Sequence, residues 1–328
     1  MNGAAVNAVC GPVAADSLGV TMTHEHLLVD GEWPNNRFTF DLMLDSEDLA
    51  IEELAYYAQA GGRTILEVST TDLARDPAGL KRISEATGVN VVMGCGWYRQ
   101  PYYPEAIDRS SVNQLSALLI SEIRDGVGDT GIRPGIIGEI GSHKGYVSAQ
   151  EERVFRAAAR AAKATGLAVT THAIPDLRYT QLHGRAVGLQ QLEILLSEGL
   201  DPSRIVIGHC DTWLYYDYHR AIVAAGAYIQ FDGIGATSWL AGLSELPWVE
   251  NKLIDHIRRL IGEGFLHQIV LSEDVGHKSH LKAYGGAGYD YLLTQFVPRM
   301  RVAGIGDDEI RTVLVENPMR MLTGDARE

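Results

Sequence analysis

Short β-branched runs alternate with longer segments of helical period along almost the whole chain. Eight runs read as buried strands: 20–26, 64–69, 90–94, 135–140, 168–172, 205–209, 227–231 and 269–272. After each of them, apolar residues three and four positions apart predict a helix, over 47–60, 77–87, 112–127, 150–165, 186–198, 216–225, 251–262 and 289–302. Several of these helices end at a glycine of the kind a left-handed C-terminal cap requires, among them Gly88 and Gly166. Parallel strands need such crossovers, so the pattern implies a parallel α/β sheet. An open doubly wound sheet and a closed (β/α)8 TIM barrel both satisfy it. The barrel is the better reading, because eight units match its usual size and no glycine-rich dinucleotide fingerprint follows the first strand. A last helix over 307–321 is expected to pack outside the barrel. With no linker, low-complexity tract or break in composition, residues 1–328 read as a single domain.

Charge and cysteine usage narrow the class. The formal charge of −14, from 28 Lys and Arg against 42 Asp and Glu, is spread along the chain rather than gathered into a tail. This balance argues against nucleic acid or an anionic membrane as a partner. The three cysteines, Cys10, Cys95 and Cys210, match neither a disulfide framework nor a zinc ribbon, which points to a reduced, cytoplasmic setting. No window approaches the roughly 18–20 apolar residues needed to span a bilayer, and no secretory leader pattern opens the sequence.

The chemistry gathers at the strand ends. In a parallel barrel the C-terminal ends of all strands meet on one rim, where active sites form. The first strand ends in His24 and His26, which alternate along a strand and so aim both imidazoles at one spot. The fourth ends at Glu139, the fifth at His172, the sixth at His209, and Asp274 follows the eighth. Taken singly these have ordinary readings, a rim salt bridge for Glu139 or a core histidine for His209. Together, four imidazoles and two carboxylates make a set able to hold two divalent metal ions, each with an open position for water. Zinc is the first choice, and manganese, cobalt or iron also fit, since imidazole and carboxylate select weakly among them. Asp211 and Asp232 read either as a proton exit relay or as hydrogen-bond partners of the histidine ligands.

The rim loops bear on substrate. The loop over 96–103 is aromatic, and Tyr98 is read as a substrate wall or carbonyl partner, with lid packing as the alternative. The loop after the eighth strand is basic; His277 and Lys278 there would favour an anionic small-molecule substrate, unless the loop is merely solvated. The loop after the seventh strand, 233–239, is built of small residues up to Trp239.

Motifs spread nearly end to end carry a family resemblance: Thr23-His24-Glu25-His26-Leu27, Arg63-Thr64-Ile65-Leu66-Glu67-Val68-Ser69-Thr70, Gly135-Ile136-Ile137-Gly138-Glu139-Ile140-Gly141, Thr171-His172, Ile207-Gly208-His209-Cys210-Asp211, Gln230-Phe231-Asp232 and Ser272-Glu273-Asp274. The chain resembles the phosphotriesterase family of the amidohydrolase superfamily, and 285–293 resembles its homology-protein branch in particular. The resemblance implies a binuclear centre in which His24, His26 and Asp274 hold the more buried metal and His172 and His209 the more exposed one. Many members bridge the two with a carboxylated lysine; here Glu139 stands near that strand end, which puts organophosphate hydrolysis in doubt. A metal-bridging hydroxide would then attack a small carbonyl substrate, with Asp274 taking the proton. A lactone or carboxylic ester is the expected target. An N-acyl amide hydrolase with weak triesterase activity is the alternative, and a non-catalytic metal- or ligand-binding barrel is the alternative of another class. The resemblance also implies a homodimer.

Overall fold

The computed structural model describes residues 4–30, 40–235 and 246–324; positions 236–239 of the small-residue loop lie outside them. Eight parallel strands are present: β1 (Thr21–Glu25), β2 (Thr64–Glu67), β3 (Asn90–Met93), β4 (Ile137–Gly141), β5 (Val169–His172), β6 (Ile205–Ile207), β7 (Tyr228–Phe231) and β8 (Ile269–Leu271). They pair in sequence order as β1-β2-β3 and as β4-β5-β6-β7-β8. Two seams close the ring. At one, the Gly135 and Gly138 amides donate to the carbonyls of Met93 and Cys95 at 2.9 and 2.8 Å. At the other, Asp274 N donates to His24 O at 3.2 Å and His24 N to Ser272 Oγ at 2.8 Å.

Alternation along the strands builds two apolar layers. Ile65, Val91, Val169, Ile205, Ile229 and Ile269 join the buried layer shared with the helices. Their neighbours Leu66, Val92, Val206, Tyr228 and Val270 form a second cluster with Val6 and Ala8. Those last two belong to an N-terminal hairpin, Ala5–Ala8 against Gly11–Ala14, which the periodicity did not disclose. The hairpin thus plugs the barrel end opposite the ligand-bearing rim, while helices cover the outside.

The longer helices are α1 (Glu47–Gln59), α2 (Pro77–Thr87), α3 (Val112–Asp125), α4 (Ala149–Thr165), α5 (Val187–Ser197), α6 (Tyr216–Ala224) and α7 (Leu246–Gly262), followed by α8 over 307–323. On the outside of the barrel α8 packs directly against β1 and β8, and the buried Asn317 amide donates to Leu266 O and Ile269 O at 2.8 and 2.7 Å. The segment expected as the eighth helix forms the π turn Leu292–Phe296 and the helix Val297–Val302. Periodicity alone cannot decide which of two consecutive amphipathic helices takes the seat. A second π turn, Thr312–Glu316, lies inside α8. Both end one residue before an Xaa-Pro step, at Pro298 and Pro318. A wider turn accommodates a ring that carries no N–H and would clash with the carbonyl four residues back. Among the described residues no helix is long and apolar enough to cross a membrane.

Candidate metal centre

The six predicted ligand residues come together, but regular alternation does not place all of them. Strand pairing is irregular between Met22 and Glu25 in β1 and between Ile137 and Ile140 in β4, the stretches that carry His24 and Glu139. Such bulges re-aim side chains at barrel rims. His209 and Asp274 lie beyond the ends of β6 and β8, in left-handed conformations at φ of 53° and 49°. Only His172 is the ordinary last residue of a strand.

Glu139 is the hub. Its Oε2 lies 3.0 Å from His172 Nδ1, 3.3 Å from His24 Nε2 and 3.6 Å from His209 Nε2, while Oε1 lies 3.6 Å from His26 Nε2. One carboxylate therefore faces all four imidazoles. Asp274 Oδ1 stands 3.3 Å from His26 Nε2 and 3.6 Å from His24 Nε2. The ligand atoms form two overlapping groups, each within 4.8 Å of one another: His24 with His26 and Asp274, and His24 with Glu139 and His209. All are buried except Asp274, whose side chain keeps 20% of its surface exposed.

Outer partners orient the rings. His209 Nδ1 donates to Asp232 Oδ1 at 2.9 Å, and His26 Nδ1 to Ser69 Oγ at 2.8 Å, whose hydroxyl donates on to Glu67 Oε1 at 2.5 Å. Both arrangements leave Nε2 as a lone pair aimed inward, the usual preparation of a ligand histidine. The Gln230 amide and the Asp232 carboxylate flank His24 Nδ1 at 2.8 and 3.4 Å.

Electrostatics sharpen the need for cations. Burial alone would neutralise Glu139, yet His172, His209 and His24 hold its pKa well below the ordinary carboxylate range. Burial also opposes charge on His26, but Asp274 and Glu139 outweigh it and raise its pKa to about 9. His172 is pushed down to about 4 by burial and by His209. His209 Nε2 and His172 Nδ1 approach to 2.6 Å, a repulsive contact unless a proton lies between them. The His24 Nε2 atom is buried with no hydrogen-bond partner. Nitrogen-to-oxygen separations of 3.3–3.6 Å around it are close to the ~3.3 Å edge of a tetrahedron with bonds of about 2.0–2.1 Å. The donor set fits a pair of divalent ions.

The phosphotriesterase family model matches residues 4–322. The chain belongs to the phosphotriesterase family. It is 35% identical to the phosphotriesterase homology protein of Escherichia coli, over 92% of this chain and 97% of that one. A crystal structure of that protein with phosphate in its active site superposes with a TM-score of 0.83, covering 94% of this chain and 99% of the other. The N-acetyltaurine hydrolase of Rattus norvegicus is 33% identical over 97% of each chain. A lactonase structure from Listeria monocytogenes has a TM-score of 0.85 at 26% identity, covering 98% of this chain and 100% of the other.

In this phosphotriesterase-family chain the metal centre opens into a cavity of about 280 Å3 lined by His26, Tyr98, Arg99, Glu139, Asp274 and His277, among others. Tyr98 is where its loop position suggested, its hydroxyl 3.3 Å from His172 Nδ1. His277 reaches the wall, with Nδ1 3.2 Å from Asp41 Oδ2. Lys278 does not join them. Its ammonium turns 3.0 Å from Asp45 Oδ1 and 3.5 Å from the centre of the Phe40 ring, so a basic loop in sequence is not a basic wall in space. Asp232 bonds a histidine directly, whereas Asp211 accepts from the backbone amides of Asp232 and Gly233 at 3.1 and 3.0 Å. Sequence reasoning gave no role to Gln230, Ser69 or Arg99. The first two lie in motifs that were recognised, but their roles depend on contacts between strands.

Proposed function

We propose that this chain is a metal-dependent hydrolase that cleaves a small acyl compound with a polar leaving group, an N-acyl amide being the first class to test. The observation that carries the proposal is the buried Glu139 carboxylate facing four imidazoles, one of them with an unpartnered Nε2. The N-acetyltaurine hydrolases, at about a third identity over nearly the whole chain, support the amide class. The lactonase likeness favours a second reading, the lactone or ester expected from the sequence.

His24, His26 and Asp274 would hold one ion and His172 and His209 the other, with Glu139 between. When bound, such ions supply a Lewis acid and an acidified water at neutral pH. Asp274, the most exposed of the six candidate ligands, would accept the proton of the attacking water and return it to the leaving group. The Tyr98 hydroxyl, on the cavity wall beside His172, would donate a hydrogen bond to the oxygen on which charge develops. Burial keeps that phenol protonated, well above its ordinary pKa.

The test joins metal analysis to turnover. Zinc, manganese and cobalt forms would be assayed against N-acetyltaurine, simple lactones, an aryl ester and a phosphotriester. About two ions per chain are expected, with metal-dependent release of taurine. Lactone opening without amide cleavage would select the second reading. No bound metal and no activity after metal is supplied would overturn both and leave a binding barrel.

A further inference from the structure

The expectation of an anionic substrate rested on the loop after β8, and the structure commits that loop's ammonium groups elsewhere. Lys278 pairs with Asp45, and Lys282 with Asp290 at 2.5 Å. Among the described residues, the guanidinium or ammonium group that lines the cavity at the metal centre belongs to Arg99.

The chain around Arg99 is pinned on both sides. Tyr98 N donates to both oxygens of Asp72 at 3.0 and 3.1 Å, and Tyr98 O accepts from Gly141 N at 2.5 Å. On the other side, Gln100 N donates to Glu151 Oε1 at 3.4 Å, and Ser148 Oγ to Gln100 Oε1 at 2.6 Å. Gly96, at φ +123, lets the loop approach β4 closely; a Cβ there would lie 2.6 Å from Ile140 Cδ1. The guanidinium lies 4.6 Å from the centre of the Tyr98 ring and 5.4 Å from that of Tyr102. These faces hold the planar group by cation–π attraction and restrict its rotamers before any ligand arrives.

We propose that Arg99 is the specificity-determining residue that receives the anionic group, a sulfonate or carboxylate, on the leaving portion of the substrate. The inference rests on the acyl hydrolase reading above. A guanidinium presents two parallel N–H donors that match two oxygens of such an anion, which a lysine ammonium cannot do. The cavity is small, below the range of about 300–1,000 Å3 typical of drug-sized ligands, so the leaving portion is a few atoms long. Asp274 also borders a second cavity of about 860 Å3, lined by Ile174, Trp213, Leu214, Ile234 and Leu253 among others. Asp211, Asp232, Glu250 and Asp255 line that cavity as well, against the single ammonium of Lys252, so its balance of charge suits an uncharged acyl portion and disfavours an anion, which falls on the Arg99 side.

The test compares N-acetyltaurine with N-ethylacetamide, the same amide without its sulfonate, on the metal-loaded native chain and on Arg99→Met. Methionine keeps an apolar stem against the two tyrosines and removes the charge. The ratio of kcat/KM between the two substrates is expected to fall about 10- to 100-fold in the variant, mainly through KM. Arg99→Lys should recover only part of it. Titration calorimetry with ethanesulfonate reads the same contact without turnover, and its Kd should weaken about tenfold or more. If the native chain opens lactones but leaves N-acetyltaurine intact, the amide reading fails and the ethanesulfonate titration still decides on Arg99. Equal losses on both amides, or unchanged ethanesulfonate binding, would overturn the assignment.

Discussion

Asp274 and His209 both sit in the left-handed region, which costs a residue bearing a Cβ roughly 1–2 kcal/mol. Specific bonds hold them there: Asp274 N to His24 O, and His209 N to both oxygens of Asp232 at 3.0 Å. Asn tolerates that conformation as Asp does, so Asp274→Asn should keep the fold while losing the proton acceptor. Turnover is expected to drop by about 10²–10⁴-fold with an unchanged thermal melt; near-normal turnover would remove Asp274 from the chemistry. Asp232→Asn acts one bond further out. It places an amide against His209 Nδ1 and should weaken metal affinity about 10- to 100-fold, read by competition with a chelator. Retained affinity would mean that Asp232 does not orient that ring.

Elements, rather than single residues, decide how much of this was legible beforehand. All eight strands were visible as β-branched runs, because strands buried on both faces must be apolar and their ends must break that rule where chemistry is needed. The strict i, i+2 argument for His24 and His26 accounts only in part for how their rings converge, since an irregularity in β1 intervenes. Arg99, Gln230 and the N-terminal hairpin were not legible, because cross-strand and loop contacts leave no local period. Pairing between helices is hidden in the same way. Glu198, at the C-terminal end of α5, accepts from Arg156 and Arg160 of α4, at 2.8 Å from each. Those bonds, Arg160 foremost, hold its pKa down from 4.5 to about 2. A carboxylate with a lowered folded pKa stabilises the fold above its unfolded value and loses that contribution as pH falls toward the folded one. Glu198→Gln should therefore unfold at lower urea than the native chain near neutral pH. The gap should narrow as pH falls from about 5 to 3. A gap that stays constant with pH would mean the ion pairs contribute nothing.

At the scale of the whole molecule, the metal centre depends on closing the ring between its first and last strands. The Glu25 carboxylate, wholly buried, does much of that work: Oε1 accepts from Ser272 Oγ at 2.7 Å and Glu273 N at 2.8 Å, and Oε2 from Val275 N at 2.9 Å. These three donors flank Asp274 on both sides in sequence, and Glu25 itself lies between His24 and His26. One side chain thus joins the end of β1, where His24 and His26 stand on either side of it, to the loop that carries Asp274. Replacing Glu25 with Gln keeps the shape but turns an NH2 toward donors that need an acceptor. The expected cost is about 2–4 kcal/mol in urea unfolding, from buried groups left without partners. A seam that loosens also lets Asp274 drift from His24 and His26, so the metal content of Glu25→Gln should fall below that of the native chain. Glu198→Gln, which weakens the fold far from this seam, should lose stability and keep its full complement of metal. If both variants lose stability and both keep their metal, the seam sets stability only, and the geometry of the centre is held by the histidine partners Asp232, Gln230 and Ser69.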